Sequence, residues 1–210
     1  SRGINCTADE IVVTNGAQSA FDLLARILLD QGERVWMEEP GYYGARAAFL
    51  SAGAKLDALK VDEGGWQLDP PRIAPRVIFV TPSCHHPLGV TMPMEQRLKL
   101  IHLAEAWNSW IIEDDYDSEY RFQGHPIPAL QGLDVSSRVV YVGTFAKILF
   151  SAMRLGFMVA HPDMIREARE MKARAEAELT KKGLGDRELK RGRGGIRDIE
   201  FAVQLLQLVH

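Results

Sequence analysis

The stretch VVYVGTFAKILFSAMRLGFMVA, residues 139–160, decides how the chain is read. It is the most apolar run and is long enough to cross a bilayer as one helix. Lys147 and Arg154 lie inside it, however, and each would cost roughly 2.5–3.5 kcal/mol near a membrane centre. The better solution is two buried strands, Val139–Gly143 and Gly156–Ala160, joined by a loop that carries both charges at the strand end.

Working outward, five more β-rich runs share this character: Glu10–Thr14, Arg34–Glu38, Ala54–Leu59, Val77–Thr81 and Trp110–Asp114. Amphipathic stretches fall between them. Ala17–Leu29 spaces Leu23, Leu24, Ile27 and Leu28 for one helix face, and Glu95–Trp107 does the same with Leu98, Ile101, Leu103 and Trp107. Gly32, Gly53 and the pair Gly64-Gly65 mark stops or turns. Such alternation predicts an α/β fold, a mostly parallel seven-stranded sheet with helices on both faces. After Ile165 the rhythm stops: an Ala/Glu/Arg/Lys-rich helical run, a Gly/Arg-rich loop over 183–195 and a last apolar segment follow. The expected division is a large domain over 1–165 and a helical tail over 166–210.

Composition narrows the function classes. Of 210 residues 46% are hydrophobic and 25% charged, which suits a packed globular body rather than a disordered one. A net charge of −3 gives no overall attraction to nucleic acid or anionic membrane, so no membrane partner is expected. Cys6 and Cys84, the two cysteines, are too few and too far apart for a disulfide framework, so a reducing cytoplasm is the expected location. Opening at Ser1 without a basic-then-apolar leader, the chain reads as an excised piece rather than a secreted precursor.

Five short motifs carry chemistry. Lys147 follows a buried strand directly and is flanked by Phe145, Ile148, Leu149 and Phe150, which would desolvate its amine and favour the neutral nucleophile. Alone, this segment reads better as a lysine snorkelling out of an apolar loop. In IIEDDYDSEY, residues 111–120, strand alternation turns Asp114 and Tyr116 to one face and Glu113 and Asp115 to the other. A solvated acidic turn is the competing reading; a calcium loop fails, because Tyr120 stands where its glycine belongs. TNGAQSAFDLL, residues 14–24, is a strand-to-helix turn in which Gly16 and the N–H groups of Ala17 and Gln18 would cradle a phosphate. Plain helix capping competes there. Thr144 and Arg154 would complete that anion cup. EEPGYYGAR, residues 38–46, supplies Tyr42 as a stacking ring and Tyr43 for a partner or the core. In TPSCHHPLGV, residues 81–90, Cys84, His85 and His86 invite a metal reading, but adjacent side chains on an extended segment diverge and no second Cys/His group stands at zinc spacing. No metal is expected, and a polar pocket lining fits these residues better. An amine, an acid, an aromatic ring and an anion cup are together what a pyridoxal 5'-phosphate site requires.

In that order and rough spacing, the motifs resemble fold-type-I pyridoxal-phosphate enzymes of the aminotransferase type over about Asp9 to Ile165. EDDYDSEYRF and TPS…HPLGVTM look most like the aminotransferase-like domain of MocR-type regulators of the GntR superfamily. The resemblance implies the large domain of that fold, pyridoxal phosphate as cofactor, and Lys147 as the Schiff-base lysine that passes a proton during transamination of an amino acid. Asp114 would pair with the pyridine nitrogen, Tyr116 with the 3-oxygen, and Tyr42 would stack on the ring; Gly16, Ala17, Gln18, Thr144 and Arg154 would hold the phosphate. It also implies a homodimer, with DNA contacted only through a domain outside this chain. Two departures stand out: His86 occupies the place where aminotransferases usually carry Asn before Pro-Thr-Gly, and Ala146 the place of a commoner Ser. The family's small C-terminal domain, with its carboxylate-gripping arginine, is also missing from the pattern.

The tail resembles another family. LKRGRGGIRDIEFAVQLLQLVH, residues 189–210, looks like a segment of glutamine-synthetase adenylyltransferase, which would make Asp198 and Glu200 metal-associated. The upstream Asp-x-Asp partner is missing, and two-metal chemistry needs several converging carboxylates, so adenylyl transfer is not expected. An amphipathic helix after a loop, or a basic contact from Arg191 and Arg193, are the plainer readings. Three functions stay open: a transaminase-like enzyme, a cofactor- or amino-acid-sensing regulator domain, and an adenylyltransferase fragment.

Overall fold

The structure, a computed structural model, describes residues 3–117, 127–145 and 155–170. Among the described residues eight strands form one sheet: β1 (Ile11–Thr14), β2 (Arg34–Glu39), β3 (Lys55–Asp62), β4 (Gly65–Trp66), β5 (Val77–Val80), β6 (Trp110–Asp115), β7 (Val139–Thr144) and β8 (Gly156–Val159). Their order across the sheet is β1-β8-β7-β6-β5-β2-β3-β4. Neighbours from β7 through β6, β5 and β2 to β3 run parallel; β8 is antiparallel to both β1 and β7, and β4 to β3. The seven expected strands are all present within a few residues of their expected ends. The eighth, β4, is two residues long and closes a hairpin through Glu63-Gly64, too short to leave a periodic signal.

Helices cover both faces. α1 (Gly16–Leu28) buries Ala20, Phe21, Leu24 and Leu28, and α2 (Tyr43–Ser51) buries Ala45, Ala48 and Phe49. These pack with Val35, Met37, Phe79, Ile112, Val142 and Met158 of the sheet. On the other face α3 (Met94–Trp107) brings Leu100, Ile101 and Ala104 against Trp36, Ile78, Val80 and Ile111, beside the one-turn α4 (Leu130–Leu133). Alternate residues of a strand serve opposite cores, as the pleat requires. Both cores are close-packed: Phe21 meets Phe79 edge-to-face at 5.3 Å, and Trp36 meets Trp107 at 5.8 Å. A last described helix, 162–170, returns Met164, Ile165 and Ala168 to the α1 side. It runs without a break across the 165/166 point at which the sequence changes character.

Topology selects one edge of this sheet. From β2 the chain moves outward to β3 and β4, whereas from β5 it moves the opposite way to β6 and β7. The crevice at the carboxyl ends of β2 and β5 is therefore the switch point at which open α/β sheets bind ligands. Among the described residues no helix is long and apolar enough to cross a membrane.

Candidate functional site

The described candidates all lie along that edge. At its β1 side, Gly16 takes φ +77° and starts α1, and the Asn15 side chain does not cap the first N–H groups of the helix. Gly156 pairs with Thr14 on one side and with Thr144 on the other, which brings the Gly16 turn and Thr144 to either flank of one residue. A Cβ on Gly156 would lie 2.7 Å from the Gly16 carbonyl carbon and 3.0 Å from the Ala17 nitrogen, so only glycine lets the turn sit so close. Thr144 donates its hydroxyl to the Leu155 carbonyl at 3.3 Å. The Gln18 side chain is used differently from its backbone: Nε2 donates to the Gly44 carbonyl at 3.1 Å, tying α1 to the start of α2.

On the β2 and β5 side three rings meet. Tyr42 and His86 are edge-to-face with centroids 5.9 Å apart, and His86 and Tyr116 likewise at 6.3 Å. Burial, a hydrogen bond with Cys84, and the charges of Cys84, Asp117 and Asp114 push the Tyr116 phenol well above its ordinary range. Tyr116 therefore keeps its proton and serves as a donor. Asp114, on β6 between the two groups in strand order, is 5% exposed. The alternation read from the sequence holds, for Asp114 shares the face of Ile112, and Glu113 shares that of Ile111.

Glu113 and Asp115 are used structurally. Glu113 accepts the N–H groups of Leu130 and Gln131 at 3.0 and 3.1 Å, and Arg97 lies 3.7 Å away. Arg97, itself buried, donates to the carbonyls of Met92, Pro82 and Pro128 at 3.0, 2.7 and 3.0 Å. Asp115 accepts the Tyr141 hydroxyl at 2.7 Å.

His85 turns away from Cys84 and His86, which both lie against Tyr116. His85 is buried edge-to-face on Trp66, and His86 turns to Tyr42. Among the described residues no three His, Cys, Asp or Glu side chains are grouped to hold a metal. Lys147 and Arg154, and Asp198 and Glu200 of the tail, lie outside the described residues. Sequence reasoning missed Cys84 as the partner of Tyr116, and also the group around Glu38. Nothing in EEP separates Glu38 from Glu39, although Glu38 is fully buried and Glu39 is exposed and pairs with Arg46.

The doubly wound, mostly parallel sheet with helices on both faces is the fold of the large domain of fold-type-I aminotransferases. The family model for aminotransferase class I and II matches residues 1–183, and the chain belongs to that family. Its relatives include the probable rhizopine catabolism regulatory protein MocR of Rhizobium meliloti, 57% identical over 165 residues, covering 78% of this chain and 34% of the relative. Another is the 2-aminoadipate transaminase of Thermus thermophilus, 30% identical over 203 residues, covering 88% of this chain and 51% of that one. Among solved structures, the α-aminoadipate aminotransferase LysN of Thermus thermophilus, complexed with N-(5'-phosphopyridoxyl)-L-leucine, superposes with a TM-score of 0.75 at 31% identity over 80% of this chain and 45% of its own. The kynurenine aminotransferase of Pyrococcus horikoshii gives 0.72 at 32% identity, over 77% and 43%. The chain thus spans between a third and about half of these relatives' lengths. A second model, described as GlnD PII-uridylyltransferase, matches residues 163–210. That match supports a nucleotidyltransferase-like tail, and its description names uridylyl rather than adenylyl transfer.

Proposed function

We propose that residues 1–165 bind pyridoxal 5'-phosphate and take an amino acid at it, and that the foreign tail begins only beyond the helix 162–170, whose Ala168 packs in the same core. The observation that carries this reading is the alignment of Gly16, Thr144, Asp114, Tyr116, His86 and Tyr42 along one carboxyl edge. The donor set suits the group. The N–H groups of Gly16, Ala17 and Gln18, in a turn that Gly156 permits, would hold the phosphate with the Thr144 hydroxyl and Arg154. The Asp114 carboxyl would face the pyridine nitrogen, and the Tyr116 hydroxyl, exchanging Cys84 for the cofactor as its acceptor, would donate to the 3-oxygen. Tyr42, with His86 at its edge, would lie along the ring and exclude water from it. When bound, the cofactor supplies a reactive aldehyde and an electron-accepting ring. Lys147 Nζ would anchor it covalently, and once displaced by the amino group would move the proton from the substrate Cα.

The 57% identity to a regulator favours a second reading, in which the same pocket senses the cofactor or an amino acid for a transcription regulator that contacts DNA through another segment. Cytoplasmic location and a homodimer accompany both. One experiment tests the shared core: visible absorption on adding pyridoxal phosphate, borohydride reduction and peptide mapping. The label is expected on Lys147, and a label on any other lysine overturns the reading. Release of a 2-oxo acid on adding amino acids separates the enzyme from the sensor.

A further inference from the structure

Glu38, near the end of β2, is fully buried yet touches no group assigned to the cofactor. Its carboxyl accepts three hydrogen bonds: from Trp66 Nε1 at 2.6 Å, from the Thr81 N–H at 2.8 Å and from the Thr81 hydroxyl at 2.7 Å. The last bond has a consequence for the pocket. Because that hydroxyl gives its proton to Glu38 Oε2, its oxygen is left as an acceptor, and the backbone N–H of His86 donates to it at 3.3 Å. His86 in turn sets its ring edge-to-face with both Tyr42 and Tyr116.

We propose that Glu38 is a positioning residue for the cofactor pocket: in its ionised form it orients the Thr81 hydroxyl, which holds His86 between Tyr42 and Tyr116. A protonated Glu38 would turn its own O–H toward Thr81, leaving the hydroxyl without its anionic acceptor and loosening the hold on His86. Burial raises the Glu38 pKa to about 7 against the opposing effect of its three donors, so the two forms exchange near neutrality. The titratable groups that face it are His85 and, beyond it, His86. His85 Nε2 stands 3.6 Å from Oε2, and burial lowers the His85 pKa and keeps that ring neutral. Leu88 N–H donates to His85 Nδ1 at 3.4 Å, which leaves the ring proton on Nε2, toward Glu38. Trp66 from β4 and Thr81 from the end of β5 contribute uncharged donors.

The inference rests on the pocket assignment above, and two readouts on the 210-residue chain test it. Without cofactor, the Trp66 indole N–H and the His86 backbone amide are followed by NMR across neutral pH. Both should titrate together with a midpoint near that of Glu38. Glu38→Gln should flatten both, whereas Thr81→Val should leave the Trp66 titration and abolish that of His86. In cofactor titrations read by absorbance, the wild type should bind more tightly as pH rises through about 7. Thr81→Val should bind on the order of tenfold more weakly, the scale of one buried hydrogen bond, and lose that step. Thr81→Ser, which keeps both donors, should restore wild-type behaviour. A His86 amide that ignores the Glu38 titration, or a Thr81→Val chain with wild-type affinity and pH profile, overturns the proposal alone. A wild-type chain that binds no pyridoxal phosphate overturns the pocket assignment with it.

Discussion

The two sides of β6 differ more than their shared acidic run suggests. On the α3 side, Glu113 and Asp115 are consumed by the fold: backbone N–H groups at the start of α4, the Arg97 guanidinium and the Tyr141 hydroxyl surround them. On the α1 side, Asp114 and Tyr116 stand at the edge on which the ring cluster and the Gly16 turn converge. One pleated strand thus spends alternate residues on structure and on the proposed ligand edge. A buried acid therefore has no single meaning, and its face decides its role.

Four expected outcomes would break or sharpen that contrast. The largest lies on the structural side. Arg97→Ala removes a buried cation that satisfies three carbonyls and faces Glu113, and should cost about 3–5 kcal/mol in denaturant unfolding. A loss near that of a surface arginine would show that the α3 side is not a strut. Next is a pH effect. Burial, outweighing the Leu130 and Gln131 N–H bonds and Arg97, raises Glu113 to about 7. A folded value above the unfolded one, about 4.3, means that the native state binds the proton more tightly. Stability from this group is then full at low pH and lost as pH rises through about 4.3 to 7, by up to roughly 3 kcal/mol. Unfolding free energies at intervals between those limits should fall with pH, and Glu113→Gln should reduce the slope. Glu38 adds to the slope with the same sign.

On the ligand side the ordering reverses. Asp114→Asn should leave unfolding nearly unchanged but weaken pyridoxal-phosphate binding on the order of tenfold to a hundredfold, the worth of one charged hydrogen bond. Unchanged cofactor affinity would remove Asp114 from the pocket. The smallest effect belongs to Tyr141→Phe. Losing the hydroxyl that Asp115 accepts should cost about 1 kcal/mol of stability and leave cofactor affinity alone.

Much of this contrast was legible beforehand. The period-2 alternation of 111–116 separated Asp114 and Tyr116 from Glu113 and Asp115, and the sheet has kept that separation. Strand and helix positions followed from apolar runs closed by Gly32, Gly53 and Gly65, each of which adopts positive φ at its turn. Partners were harder to read. Cys84 looked like part of a polar lining, and only folding brought it to the Tyr116 hydroxyl. Glu38 and Arg97 looked like ordinary charged residues of a strand end and a helix, because their counterparts lie 43 and 15 positions away, at Thr81 and Pro82.

By itself, then, the sequence determined the elements, the faces of each strand and the family, since these rest on local periodicity and on short motifs in order. The tertiary structure alone decided the strand order, hence the switch point between β2 and β5, and which buried acids became struts. Those outcomes depend on contacts between segments distant in the chain, which no local pattern encodes.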